Sequence, residues 1–95
     1  MSRSWTLLSH HAHVLLALDQ NPDYTIDELA QILGITSRTV VNLLSDLVED
    51  GYLSKTKDGR NNHYEINKKA PLRHSTSHGK TVGQLIAALG ELGNR

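Results

Sequence analysis

The sequence predicts an α+β fold, mostly helical, with a three-helix core, a β-hairpin and one additional C-terminal helix. Three observations predict it. Residues 25–34 and 36–51 read as two short helices, each opened by a threonine cap, striped with apolar side chains at helical spacing and closed by a glycine. After Gly51 the pattern changes to period two, with Asp58-Gly59 between two alternating segments. Residues 82–92 then return to helical spacing with little polar cover.

Each element has its own warrant. Ser4 is a candidate cap for a first helix from about Trp5 to Asp19, with Leu7, Leu8, His11, Val14, Leu15 and Leu18 on the inner stripe. Asn21-Pro22-Asp23 breaks it, and Tyr24-Thr25 has room for a short extra strand. Thr25 with Glu28 forms a capping box before Ile26, Leu29, Ala30 and Ile32/Leu33. Gly34 stands where a left-handed residue closes the helix. Thr36 caps the next helix, whose inner stripe is Val40, Leu43, Leu44 and Leu47. Strands are expected at Tyr52–Lys57 and His63–Asn67, around a loop of Asp58 to Asn62.

The outward side of the helix after Thr36 carries Ser37, Arg38, Thr39, Val41 and Asn42, with Ser45 and Asp46 a turn further on. Arg and Asn can make bidentate contacts with guanine and adenine edges. Ser, Thr and a small apolar group suit phosphates and the thymine methyl. A plain helical hairpin with a solvated face would show the same residues. The hairpin that follows adds Lys55, Lys57, Arg60 and Asn61, the three cations spaced to lie along one face and reach a phosphate backbone or minor groove.

From about Trp5 to Asn67 these features resemble a winged helix-turn-helix domain of the MarR-like class of transcription regulators, of bacterial and archaeal type. The segment WTLLSHHAHVLLAL is similar to the first helix of archaeal and actinobacterial winged-helix regulators. The resemblance implies a DNA-binding domain at 4–68, a polar linker at 69–80 that crosses the domain surface, and a helix at 81–93. It also implies sequence-specific binding of double-stranded DNA. Thr36, Ser37, Arg38, Thr39, Val41, Asn42 and Ser45 would lie at the major groove, and Lys55, Lys57, Arg60 and Asn61 on flanking backbone or minor groove. The other reading is a winged-helix protein-interaction or scaffold module without sequence-specific DNA binding.

The last helix opens at Thr81 and aligns Val82, Leu85, Ile86, Leu89 and Leu92, with Gly83, Ala87, Ala88 and Gly90 on the opposite side. So apolar a helix must be covered, either by its own domain or by a second copy. A homodimer is expected, since helix-mediated dimers are the habit of the family it resembles. Gly83, Ala87 and Gly90 would let a partner backbone come close.

Composition bounds the function. The chain has 95 residues, 38% apolar, no cysteine and zero formal net charge. One domain with a modest core is expected, without disulfides or thiolate metal sites. No apolar run is long enough for a bilayer and no N-terminal secretion signal is present, so a cytoplasmic location is expected. Charge is segregated: residues 1–50 hold two basic and seven acidic side chains, a net of −5, and residues 51–95 hold eight and three, a net of +5. The basic half coincides with the hairpin and tail.

His10, His11, His13, His63, His74 and His78 fall at no recognised ligand spacing with carboxylates, and no metal or cofactor is expected. There is no phosphate-binding glycine loop, nucleophile–base motif or carboxylate pair, so an enzyme is not expected. The chain is too short to suggest a separate effector domain, which would leave any small-molecule effector at a dimer interface.

Overall fold

A computed structural model describes residues 8–58, 61–72 and 79–93, with the side chains of 57, 58, 61, 62 and 90–93 excepted. Element order is α1 (His10–Gln20), α2 (Ile26–Leu33), α3 (Ser37–Glu49), β1 (Leu53–Asp58), β2 (Asn61–Ile66) and α4 (Val82–Gly93). Four helices and an antiparallel two-stranded ribbon form a winged-helix arrangement with an added C-terminal helix. Ser4, Trp5, Leu7, Arg60, His74 and His78 lie outside the described residues, as do the side chains of Lys57, Asn61 and Leu92.

The local signals for α2 and α3 hold in three dimensions. Thr25 accepts a hydrogen bond from the Glu28 N–H at 3.1 Å, and Glu28 Oε1 accepts one from the Thr25 N–H at 2.9 Å. Both orphan donors at the start of α2 are thereby satisfied. Gly34 takes φ +70°, and the Ile35 N–H reaches back to the Ala30 carbonyl at 3.0 Å. A side chain at that backbone angle would be strained, so the sharp turn into α3 depends on this glycine.

Three features differ from those the sequence predicts. α1 starts at His10 with Ser9 as its cap, the Ser9 hydroxyl accepting from the Ala12 N–H at 3.2 Å. Leu8 therefore precedes the helix instead of lying within it. The hairpin ladder runs further than expected: Asp58 pairs with Asn61 and Lys57 with Asn62, so only residues 59–60 join the strands. Asn61 is a strand residue, not a loop residue. Tyr24-Thr25 forms no strand, and the described sheet has two strands. The linker doubles back at its base, where the Leu72 N–H donates to the Lys80 carbonyl and the Val82 N–H to the Ala70 carbonyl, both at 2.9 Å.

The core gathers Val14, Leu15 and Leu18 of α1, Leu29 and Ala30 of α2, and Val40, Leu43, Leu44 and Leu47 of α3. Leu53 and Tyr64 root the ribbon in it. α4 completes the core from the other side by packing on α1. Val82 is 1% exposed and Ile86 4% within this single chain. These two side chains are therefore packed in the core of the chain itself. Leu85 and Leu89 are half-buried.

Gly83 is also accounted for within the chain. Its N–H donates to the Lys68 carbonyl at 2.8 Å, and a Cβ placed there would stand 2.9 Å from that same oxygen. The backbone that comes close to Gly83 is that of Lys68, not a partner's. Thr81 and Gln84 cap α4 reciprocally, with the Thr81 N–H on Gln84 Oε1 at 2.9 Å and the Gln84 N–H on Thr81 Oγ1 at 3.3 Å.

This close approach makes Gly83→Ala a discriminating substitution. In a free helix, alanine would gain about 1 kcal/mol over glycine. Against the Lys68 carbonyl, overpacking of about 1–3 kcal/mol outweighs that gain, giving a net destabilisation of up to about 2 kcal/mol. Urea unfolding of the two proteins measures it, and a stabilised variant would show that α4 does not sit this close to Lys68.

Candidate nucleic-acid interface

With Val40, Leu43, Leu44 and Leu47 turned inward, the 3.6-residue period turns Arg38, Val41, Asn42 and Ser45 outward, and all four are exposed. They form one stripe along the first three turns of α3, spanning roughly 10 Å at the helical rise. The B-DNA major groove is about 12 Å wide and admits a helix. The stripe starts at the helix N-terminus, where the backbone dipole favours anions such as phosphate.

The three hydroxyls at the start of α3 are occupied within the protein. Thr36 Oγ1 accepts from the Thr39 N–H at 3.1 Å and shares a hydrogen bond with Thr39 Oγ1 at 2.9 Å. Ser37 Oγ donates to Asp27 Oδ1 at 2.6 Å, stapling the start of α3 to the first turn of α2. Sequence spacing puts Ser37 and Thr39 on the open face, whereas both are half-buried and bonded. They position α3, and the exposed candidates for reading a base edge are Arg38, Val41, Asn42 and Ser45.

Asp46 is likewise engaged within the protein. Its Oδ2 lies 2.9 Å from His11 Nε2, joining α3 to α1. Neither this pair, 35 residues apart, nor Asp27–Ser37, ten apart, has a local sequence signature. Only the packing of α1 and α2 against α3 reveals them.

The ribbon lies beside α3. Lys55 is exposed and shares a cleft of about 410 Å³ with Ile26, Val41, Leu44, Ser45, Val48, Glu49 and Tyr64. Strand alternation puts positions 55 and 57 on one face of the ribbon, as the sequence predicts. His63 of β2 comes within 3.7 Å of Asp23 and 4.0 Å of Glu65. Among the described residues no three His, Cys, Asp or Glu side chains converge as a metal site would require. No described helix is long and apolar enough to cross a membrane.

A model of the MarR family matches residues 5–61. A riboflavin kinase of Thermococcus kodakarensis is 32% identical over 76 residues, a match that takes in 70% of this chain and 36% of that protein. The crystal structure of AdcR, a zinc-dependent MarR family transcriptional regulator in its Zn(II)-bound state, matches with a TM-score of 0.58 at 20% identity. That match covers 96% of this chain and 55% of the AdcR chain. The chain thus spans about a third of the length of the kinase and about half that of AdcR. The likeness to AdcR is one of fold.

Proposed function

The chain belongs to the MarR family, and from that premise we propose that it is a DNA-binding transcription regulator that reads double-stranded DNA in a sequence-specific manner as a homodimer. The observation that carries this reading is the exposed stripe Arg38, Val41, Asn42 and Ser45 on the outer face of α3, with Lys55 of the ribbon beside it. α3 enters the major groove with Arg38 and Asn42 on base edges, while Thr36, Ser37 and Thr39 hold its first turn in place. Lys55, Lys57, Arg60 and Asn61 follow the flanking backbone, Arg60 reaching toward the minor groove. The runner-up, a protein-interaction module, draws on the zero net charge and the acidic end of α3.

Arg38→Ala is expected to weaken binding to the preferred site by about 1–3 kcal/mol and to relax preference at one base pair, as removal of a bidentate base contact does. Titrations on the preferred site, on its single-base variants and on random duplex measure it. Equal weakening on all of them would assign Arg38 to phosphate alone.

Replacing Lys55, Lys57 and Arg60 by Gln acts differently. Binding to every sequence should weaken, and the slope of log affinity against log salt should shrink by about 0.9 for each phosphate no longer neutralised. A slope that does not move takes the ribbon off the DNA and favours the protein-interaction module.

For the dimer, Val82 and Ile86 are committed to the core, which leaves Leu85 and Leu89, with Ala88 exposed at their flank, as the surface α4 offers a second copy. Leu92 extends the same stripe in sequence. Two copies joined there would read a near-palindrome with half-sites about one helical turn apart. Leu85→Asp combined with Leu89→Asp should give a monomer that keeps its helical circular dichroism and binds a palindromic site only weakly. Sedimentation decides: a wild-type monomer well above micromolar concentration would end the dimer proposal.

A further inference from the structure

The outer face of α3 carries one feature that a purely polar reading surface does not need. Among the described residues only two large apolar side chains are exposed, Ile32 at 54% on α2 and Val41 at 45% on α3. Val41 stands between Arg38, one turn before it, and Asn42, directly after it, in the middle of the stripe. It also lines the cleft beside α3 together with the apolar Ile26, Leu44, Val48 and Tyr64, where the charged lining is Glu49 of α3 and Lys55 of the ribbon.

Resting on the reading that α3 occupies the major groove, we propose that Val41 reads the 5-methyl group of a thymine, and that each half-site carries a thymine at that position. The chemistry narrows the occupant. Phosphates bring charge to an interface, and the deoxyribose rings lie along the backbone, off the base edges that a helix in the major groove reads. On the major-groove edges of the four base pairs, the apolar group is the thymine methyl. Lys55 at the edge of the cleft complements the backbone phosphate that accompanies such a base. Residues 41 and 42 project about 100° apart on the helix, so Val41 and Asn42 address neighbouring positions. Asn42 suits adenine, which makes an A·T-containing step the target of the pair.

The test uses the full chain and duplex sites selected from random sequence. Each thymine of the preferred site is replaced, one at a time, by deoxyuridine, which lacks only the 5-methyl group. One thymine per half-site should weaken binding about fourfold when replaced, the value of one buried methyl, while the others stay neutral. Val41→Ala trims an exposed side chain to a stronger helix former and leaves the core untouched. That variant should discriminate thymine from deoxyuridine less than the wild type does, while keeping wild-type discrimination at the base pair that depends on Arg38. A cytosine in place of the critical thymine should bind better when it carries a 5-methyl group. If no thymine responds, or if Val41→Ala keeps the full thymine preference, the inference is overturned although the groove reading stands. If selection returns no preferred sequence, the groove reading itself falls, and this inference with it.

Discussion

The burial of Val40, Leu43, Leu44 and Leu47 is the constraint on which the rest of the surface depends. Each such side chain stabilises the fold by about 1.5–3 kcal/mol relative to exposure. Rotating α3 by one residue, about 100°, would withdraw most of that stripe and turn polar groups toward the core. The outward set is therefore a consequence of the inward one. Arg38, Val41, Asn42 and Ser45 face outward because the core accepts no other orientation. Ser37–Asp27 and the Thr36–Thr39 cap then fix the helix along its axis, so that its start is anchored at the turn centred on Gly34.

The same orientation reconciles a neutral chain with an anionic partner. The acidic excess of the first half does not lie evenly over α3. Arg38 and the positive end of the helix dipole mark its beginning, while Asp46, Glu49 and Asp50 collect at its end. Asp46 is further turned toward His11 of α1. Lys55 shares its cleft with Glu49, so the ribbon brings positive charge to the region where the exposed face becomes acidic. What an approaching duplex meets is this local arrangement and not the sum of all charges.

Legibility in the sequence follows the range of the interaction. Thr25 with Glu28, the Thr36 cap and the left-handed Gly34 act within three or four residues, and each is readable from the residues alone. The start of α1 is not, because Ser4 and Ser9 are both competent caps and nothing local ranks them. Turn-forming residues occupy four of the five positions from 58 to 62, so the pairing of Asp58 with Asn61 is settled by the ladder and not by turn preference. In the candidate interface, periodicity separates the outer stripe of α3 from its core side. It cannot show that Ser37 is bonded inward, since Asp27 belongs to another helix. α4 is the clearest case: its spacing demands cover for an apolar face without saying whose surface supplies it.

That answer bears on how a dimer would work. Were α4 a separate arm on a polar linker, two domains joined through it could adopt many separations. Instead Val82 and Ile86 are embedded in the core, the Gly83 N–H is bonded to Lys68 directly after the ribbon, and the linker is closed at its base. α4 packs on α1, and α1 on α3. A second copy docking on Leu85 and Leu89 would thus meet a surface continuous with the core that orients α3. Half-site spacing would then be set by packed side chains and not by linker length, and loosening the inner face of α4 would blur that spacing even with the outer face intact.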